Sequence, residues 1–181
     1  MGKFIIGVVV GVVGLFAAVY IYFAAGMAPV ATAASPMPLE KMFANMALEA
    51  RINKEMPKTV PVSADDATYA AGADIYKEHC EVCHGLPNGD QTAIAKGMFP
   101  KPPRLFHGMG VTDDPPGETY WKVSNGIRMS GMPAFDKALS TTQIWQVSVM
   151  LANADKVSES IKDSMMPPAT PPATSTAPAK K

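Results

Sequence analysis

The sequence predicts an all-α protein carrying one transmembrane helix at its N-terminus, and three observations support this. Residues Phe4 to Val30 hold no charged side chain. Apolar positions recur at helical spacing in two later stretches, 39–55 and 140–151. Around the chain's only pair of cysteines, nothing reads as the alternating pattern of strands.

A helix over residues 4–30 would be roughly 40 Å long, against the ~30 Å hydrocarbon core of a bilayer. Ala31-Thr32-Ala33 supplies an A-x-A sequence, so a cleaved signal peptide is the alternative. Signal h-regions usually run only about 7–15 residues, which favours an uncleaved anchor. Lys3 and the amino terminus are the only positive charges ahead of the span, placing the N-terminus on the cytoplasmic side. Tyr20, Tyr22 and Phe23 then lie toward the outer half, where aromatic rings suit the interface. Gly7 and Gly11 form a G-x-x-x-G pair that favours helix association, although glycine is common in membrane spans generally. No cysteine lies near the N-terminus, which excludes a lipid anchor on cysteine.

Beyond this anchor (1–30), residues 31–62 read as a linker with an amphipathic helix. Ala31 to Pro38 is an Ala/Pro spacer. In the helix expected from Leu39 to Glu55, Leu39, Met42, Phe43, Met46 and Ala50 share the apolar stripe. Such a helix can lie on the membrane surface or pack against its own domain, and the second is favoured. A globular domain is expected over 63–163, long enough for one core. The Pro/Ala/Thr tail over 164–181 has almost nothing to bury and is expected to be disordered. Although the chain's net charge is zero, residues 63–163 hold thirteen acidic and nine basic residues, a net of −4. Such a domain prefers a partner with a basic docking face, in salt-sensitive association. Nothing in the sequence suggests nucleic-acid binding.

The chemistry is concentrated in Cys80-Glu81-Val82-Cys83-His84, which contains both cysteines of the chain. On a helix Cys80, Cys83 and His84 fall at i, i+3 and i+4 and share a face. Two thiols can then bond the vinyl groups of a haem while the imidazole reaches its iron, which is the c-type haem attachment signature. A zinc site usually wants four ligands, and only His79 and His107 remain to help. A thioredoxin-like dithiol would expect a βαβ setting, which is not seen. One covalently attached haem c is therefore the expected cofactor.

Ser63 is the expected cap of a helix with Asp65 and Asp66 in its first turn, running through Tyr76 into the haem motif. Gly72, Tyr76 and Cys80 lie four apart on one face, and Gly72 permits close approach of another helix. Ser140 and Gln143 have capping-box spacing at the start of a second long helix, expected to cross the first near Gly72. Between them, 117–124 reads as a short helix with Tyr120 and Trp121, ended by Asn125-Gly126.

From Ala67 to Ala154 the pattern resembles the class I cytochromes c, in particular their membrane-anchored, single-haem bacterial subgroup. The resemblance rests on Gly72 and Tyr76 ahead of Cys80-x-x-Cys83-His84-Gly85, the proline-rich stretch Pro100 to Leu105, Asn125-Gly126-Ile127, and Gly131-Met132-Pro133-Ala134-Phe135 before a final helix. It implies a cytochrome c fold, several helices around one covalent haem, with His84 as proximal and Met132 as distal iron ligand. It also implies that a proline carbonyl, here that of Pro103 in Pro103-Arg104-Leu105, orients the ligating imidazole. A thioether ligand favours ferrous iron and raises the potential. Met129 is the nearest competitor among thirteen methionines, with Met98 and Met109 behind it. His107 is the other conceivable distal ligand, and His79 should point away from the haem. Arg104, Tyr120 and Trp121 are candidate propionate partners, although an exposed arginine or a packed tryptophan explains them as well.

These readings combine into a single-pass inner-membrane protein whose haem domain lies in the periplasm and passes single electrons between respiratory or photosynthetic redox proteins. A quinol-oxidising complex or a terminal oxidase would be such a partner. No small-molecule substrate and no catalytic constellation are expected. A fixed subunit of a membrane oxidoreductase is one alternative, and a haem enzyme or gas sensor with an open distal site is another.

Overall fold

A computed structural model of the protein describes residues 1–106, 112 and 114–166. Its helices are α1 (Gly2–Ala24), α2 (Glu40–Glu55), α3 (Asp66–His79), α4 (Glu81–His84), α5 (Ala93–Gly97), α6 (Pro116–Asn125), α7 (Thr141–Ala152) and α8 (Glu159–Ser164), and the described residues include no strand. The chain divides into two compact units, Met1–Leu48 and Glu49–Lys181.

In the first unit α1 stops earlier than its composition suggested. Gly26 takes a left-handed φ of 70°. Its N–H donates to the Phe23 carbonyl and the Met27 N–H to the Tyr22 carbonyl, both satisfying terminal acceptors of the helix. The remaining 23 residues still reach about 35 Å, enough to cross a bilayer core. Leu39, also left-handed at φ 64°, turns the chain into α2.

The second unit is built on α3 crossing α7. A Cβ added to Gly72 would lie 2.5 Å from the Gln146 carbonyl oxygen and 2.6 Å from Met150 Cβ, so the two backbones meet where only glycine fits. Around this crossing Ala73, Tyr76, Val147 and Met150 are fully buried. The capping box at α7 forms as expected: Ser140 Oγ accepts from Gln143 N, and Gln143 Oε1 accepts from Ser140 N. At α3 the cap is Asp65 rather than Ser63. Its extended backbone brings Oδ1 to the Thr68 N–H at 2.9 Å, and a carboxylate also suits the positive end of the dipole. Helix α6 lies on α7, with Tyr120 stacked on Trp145 at a centroid distance of 4.3 Å.

Ile52 is the one buried residue of α2, on a different side of the helix from the expected apolar stripe. Pro57 follows so close to α6 that its carbonyl lies where a Cβ of Gly117 would stand. At the other end, Val157, Ile161 and Met165 are buried through α8, so packing continues past residue 164. Residues 167–181 of the expected disordered tail lie outside the described residues.

Candidate haem site

The site starts where α3 ends. His79 closes that helix, and Cys80 breaks the line with φ −115° and ψ −34° before the single turn of α4. The Cys80 carbonyl accepts from the N–H groups of Cys83 at 3.1 Å and His84 at 2.9 Å. One turn therefore carries both thiols and the imidazole, although α3 does not run straight into the motif as expected. Gly85 ends the turn with φ 75°, a conformation that favours glycine. The Tyr76 hydroxyl donates to the Gly85 carbonyl at 2.6 Å, and the Thr92 hydroxyl donates to the Val82 carbonyl at 2.6 Å. The turn is thus tied to the buried helix on one side and to the start of α5 on the other.

His84 Nδ1 lies 2.8 Å from the Pro103 carbonyl. A carbonyl can only accept, so Nδ1 carries the proton and Nε2 keeps its lone pair. Burial lowers the imidazole's pKa, against the opposing effect of the Pro103 bond, and so favours the neutral ring. The Cys80 thiol is pushed up to about 12, by burial first and by Cys83 second. A reactive dithiol shows the opposite shift. Among the described residues, no group of three or more His, Cys, Asp or Glu side chains is gathered to hold a metal ion.

Met132 sits on a loop pinned to the end of α6. The Ile127 N–H donates to the Met132 carbonyl at 3.1 Å, and Phe135 N–H to the Val123 carbonyl at 3.0 Å. Ser130 Oγ donates to the Ile127 carbonyl and accepts from the Met132 N–H. Gly126, at φ 66°, lies so close to residues 132–134 that a Cβ there would stand 2.6 Å from Ala134 N. Met132 is half-buried against the core, while Met129 is 92% exposed. Met98 reaches the same loop, with its methyl group where a Cβ of Gly131 would lie. His107 and Met109 lie outside the described residues.

The remaining sequence candidates have partners within the protein. Trp121 Nε1 donates to Glu55 at 3.2 Å, and Arg104 Nη2 to the Gly89 carbonyl at 2.6 Å. Tyr120 is held by its stacking on Trp145. The His79 ring lies against Phe135 at 5.9 Å. The tethers formed by the Tyr76 hydroxyl, Thr92 and Ser130 were not read from the sequence. A lone hydroxyl gives no signal in the sequence of what it holds.

Residues 67–149 match the family model described as cytochrome c oxidase, cbb3-type, subunit III. This part of the chain is a class I cytochrome c domain. No curated protein matches the chain. Among solved structures, a chain of the reducing HAO-like protein complex of Kuenenia stuttgartiensis is similar, with 25% identity and a TM-score of 0.43. The similarity covers 50% of this chain and 45% of that one, so it spans less than half of the other chain's length. The cofactor of a cytochrome c domain is covalently bound haem c, and its work is electron transfer. The residues fit the group: two thiols and a neutral imidazole share one turn, and Leu86, Leu105, Phe106, Met132 and Phe135 are apolar side chains only partly covered by protein. The N-terminal helix fits a membrane anchor.

Proposed function

We propose that the protein is a membrane-tethered monohaem cytochrome that carries single electrons between extracytoplasmic redox partners, with His84 and Met132 as the axial iron ligands. The observation that carries this reading is the hydrogen bond from His84 Nδ1 to the Pro103 carbonyl, which fixes the imidazole's tautomer and orientation. When bound, haem c supplies a one-electron ferric/ferrous couple. Cys80 and Cys83 hold it covalently, and burial keeps His84 neutral and able to offer Nε2. The Ser130, Ile127 and Phe135 hydrogen bonds fix the backbone of the Met132 loop against the end of α6. His84 and Met132, if they hold the iron, would reorganise little when its charge changes, which suits electron transfer over catalysis.

In this reading residues 1–30 anchor the chain in the inner membrane, 31–62 connect, 63–163 form the haem domain in the periplasm, and 164–181 form the tail. The tether raises the effective concentration of the domain near membrane partners such as a quinol-oxidising complex or a terminal oxidase. Spectroelectrochemistry of the purified chain tests the proposal. One reversible wave with one-electron slope and one haem per chain is expected, and a multi-electron wave or a second haem contradicts it.

A second reading, a fixed subunit of a membrane oxidoreductase, is favoured by the matched family, whose description names an oxidase subunit. Purification in mild detergent separates the two. A stoichiometric set of co-purifying subunits supports the complex, and a lone chain supports the shuttle.

A further inference from the structure

Helix α2 carries two apolar faces, of which only one is used. At 100° per residue, Ile52 lies roughly 130° round the helix from the centre of the stripe formed by Met42, Phe43 and Met46, with Leu39 just ahead of the helix. Ile52 is 3% exposed, and Glu55, one turn on, receives the Trp121 indole N–H. The C-terminal end of the helix thus joins the haem-bearing unit through the Ile52 side. By contrast, Leu39 (58%), Met42 (51%), Phe43 (53%) and Met46 (56%) are open to solvent. Three large apolar side chains in one stripe at the start of a helix, with Leu39 just ahead of them, call for a covering surface.

The chain itself indicates what that surface is. Within the first unit, α1 is a 23-residue apolar helix with none of its residues buried, and only Ala25 to Leu39 separate it from α2. This connection is short and turned: Met27 N bonds back to Tyr22 O, Ala34 N to Ala31 O, and Glu40 N to Met37 O. If α1 spans the bilayer, the start of α2 cannot stray far from the membrane surface. The stripe is made of Leu, Met and Phe, which enter the headgroup–acyl boundary readily, and Lys41 and Lys54 lie outside it. We propose that the N-terminal half of α2 lies in the membrane interface, with Leu39, Met42, Phe43 and Met46 inserted among the lipids, giving the haem domain a second, peripheral hold on the bilayer. This rests on α1 being an uncleaved anchor.

The test is site-directed spin labelling of the full-length, haem-loaded chain in vesicles of phosphatidylcholine with phosphatidylglycerol. Nitroxides are placed singly at F43C and M46C, at K41C on the polar side, and at A17C inside α1, with the native thiols consumed by haem. Collision with oxygen and with a water-soluble nickel chelate then reports depth. The expected result is that labels at 43 and 46 collide several-fold more with oxygen relative to nickel than the label at 41, at depths of about 5–10 Å. Labels at 43 and 46 that match position 41 overturn the proposal, provided that 17 is immersed. Low collision with both reagents at 43 and 46 means a protein surface covers the stripe, and also overturns it. A label at 17 exposed to nickel refutes the anchor, and the interfacial placement falls with it.

Discussion

At the residue scale the proposed haem site depends on a few side chains whose partners are defined. Met132→Leu removes the thioether but keeps the volume. The reduction potential should then fall, within the ~0.8 V range over which axial ligands set haem potentials, and carbon monoxide should bind the reduced form. Tyr76 makes a different prediction. Its pKa is raised, by burial first, with the neighbouring Glu81 adding to the shift. A tyrosine with a folded-state pKa above its unfolded value of about 10 contributes stability that is fully present below pH 10 and is lost as pH rises toward the folded value. Denaturation midpoints should therefore fall steeply above about pH 10. Tyr76→Phe should flatten that loss while costing about 1–3 kcal/mol at neutral pH, because it orphans the Gly85 carbonyl. A midpoint series from pH 7 to 11 on both proteins checks this.

At the scale of elements, two glycines carry the geometry. Gly72→Ala should destabilise the domain by roughly 1–3 kcal/mol, since its Cβ would meet the Gln146 backbone at the α3–α7 crossing. Thermal unfolding measures it. Gly126→Ala should act on the ligand loop: its φ of 66° and the nearby Ala134 N leave no room, so Met132 should be displaced and carbon monoxide admitted. The first glycine was legible in the sequence because Gly72, Tyr76 and Cys80 share a helical face, and the α7 capping box because its spacing is fixed by hydrogen-bond geometry. Elements whose signal is short or tertiary were harder to read. Helix α8 is not foreseen within the expected domain, although Val157, Ile161 and Met165 stand four apart, because six residues are too few to show periodicity. Thr92 caps the five-residue α5, too brief to show periodicity. The stripe read in α2 was real, but the face that the domain uses is marked by one residue, Ile52, which periodicity could not single out. The His84–Pro103 pairing was implied by family resemblance rather than by any local pattern, since nineteen residues separate the partners.

In the whole molecule an apolar N-terminal helix leads, through a connecting helix, into a cytochrome c domain. A chain whose residues 1–30 are replaced by a cleavable secretion signal should move from the membrane to the soluble fraction with its haem spectrum unchanged, and retention in the membrane would place the main hold elsewhere. The central claim is that both axial positions of the iron are filled, by His84 and Met132. The most direct test is the optical spectrum of the purified chain, oxidised and reduced, with and without carbon monoxide. The account predicts a low-spin spectrum with the far-red ferric band of sulfur-to-iron charge transfer, unaltered by carbon monoxide. A high-spin spectrum, or ready binding of carbon monoxide by the unmodified chain, would mean an open iron and would contradict it.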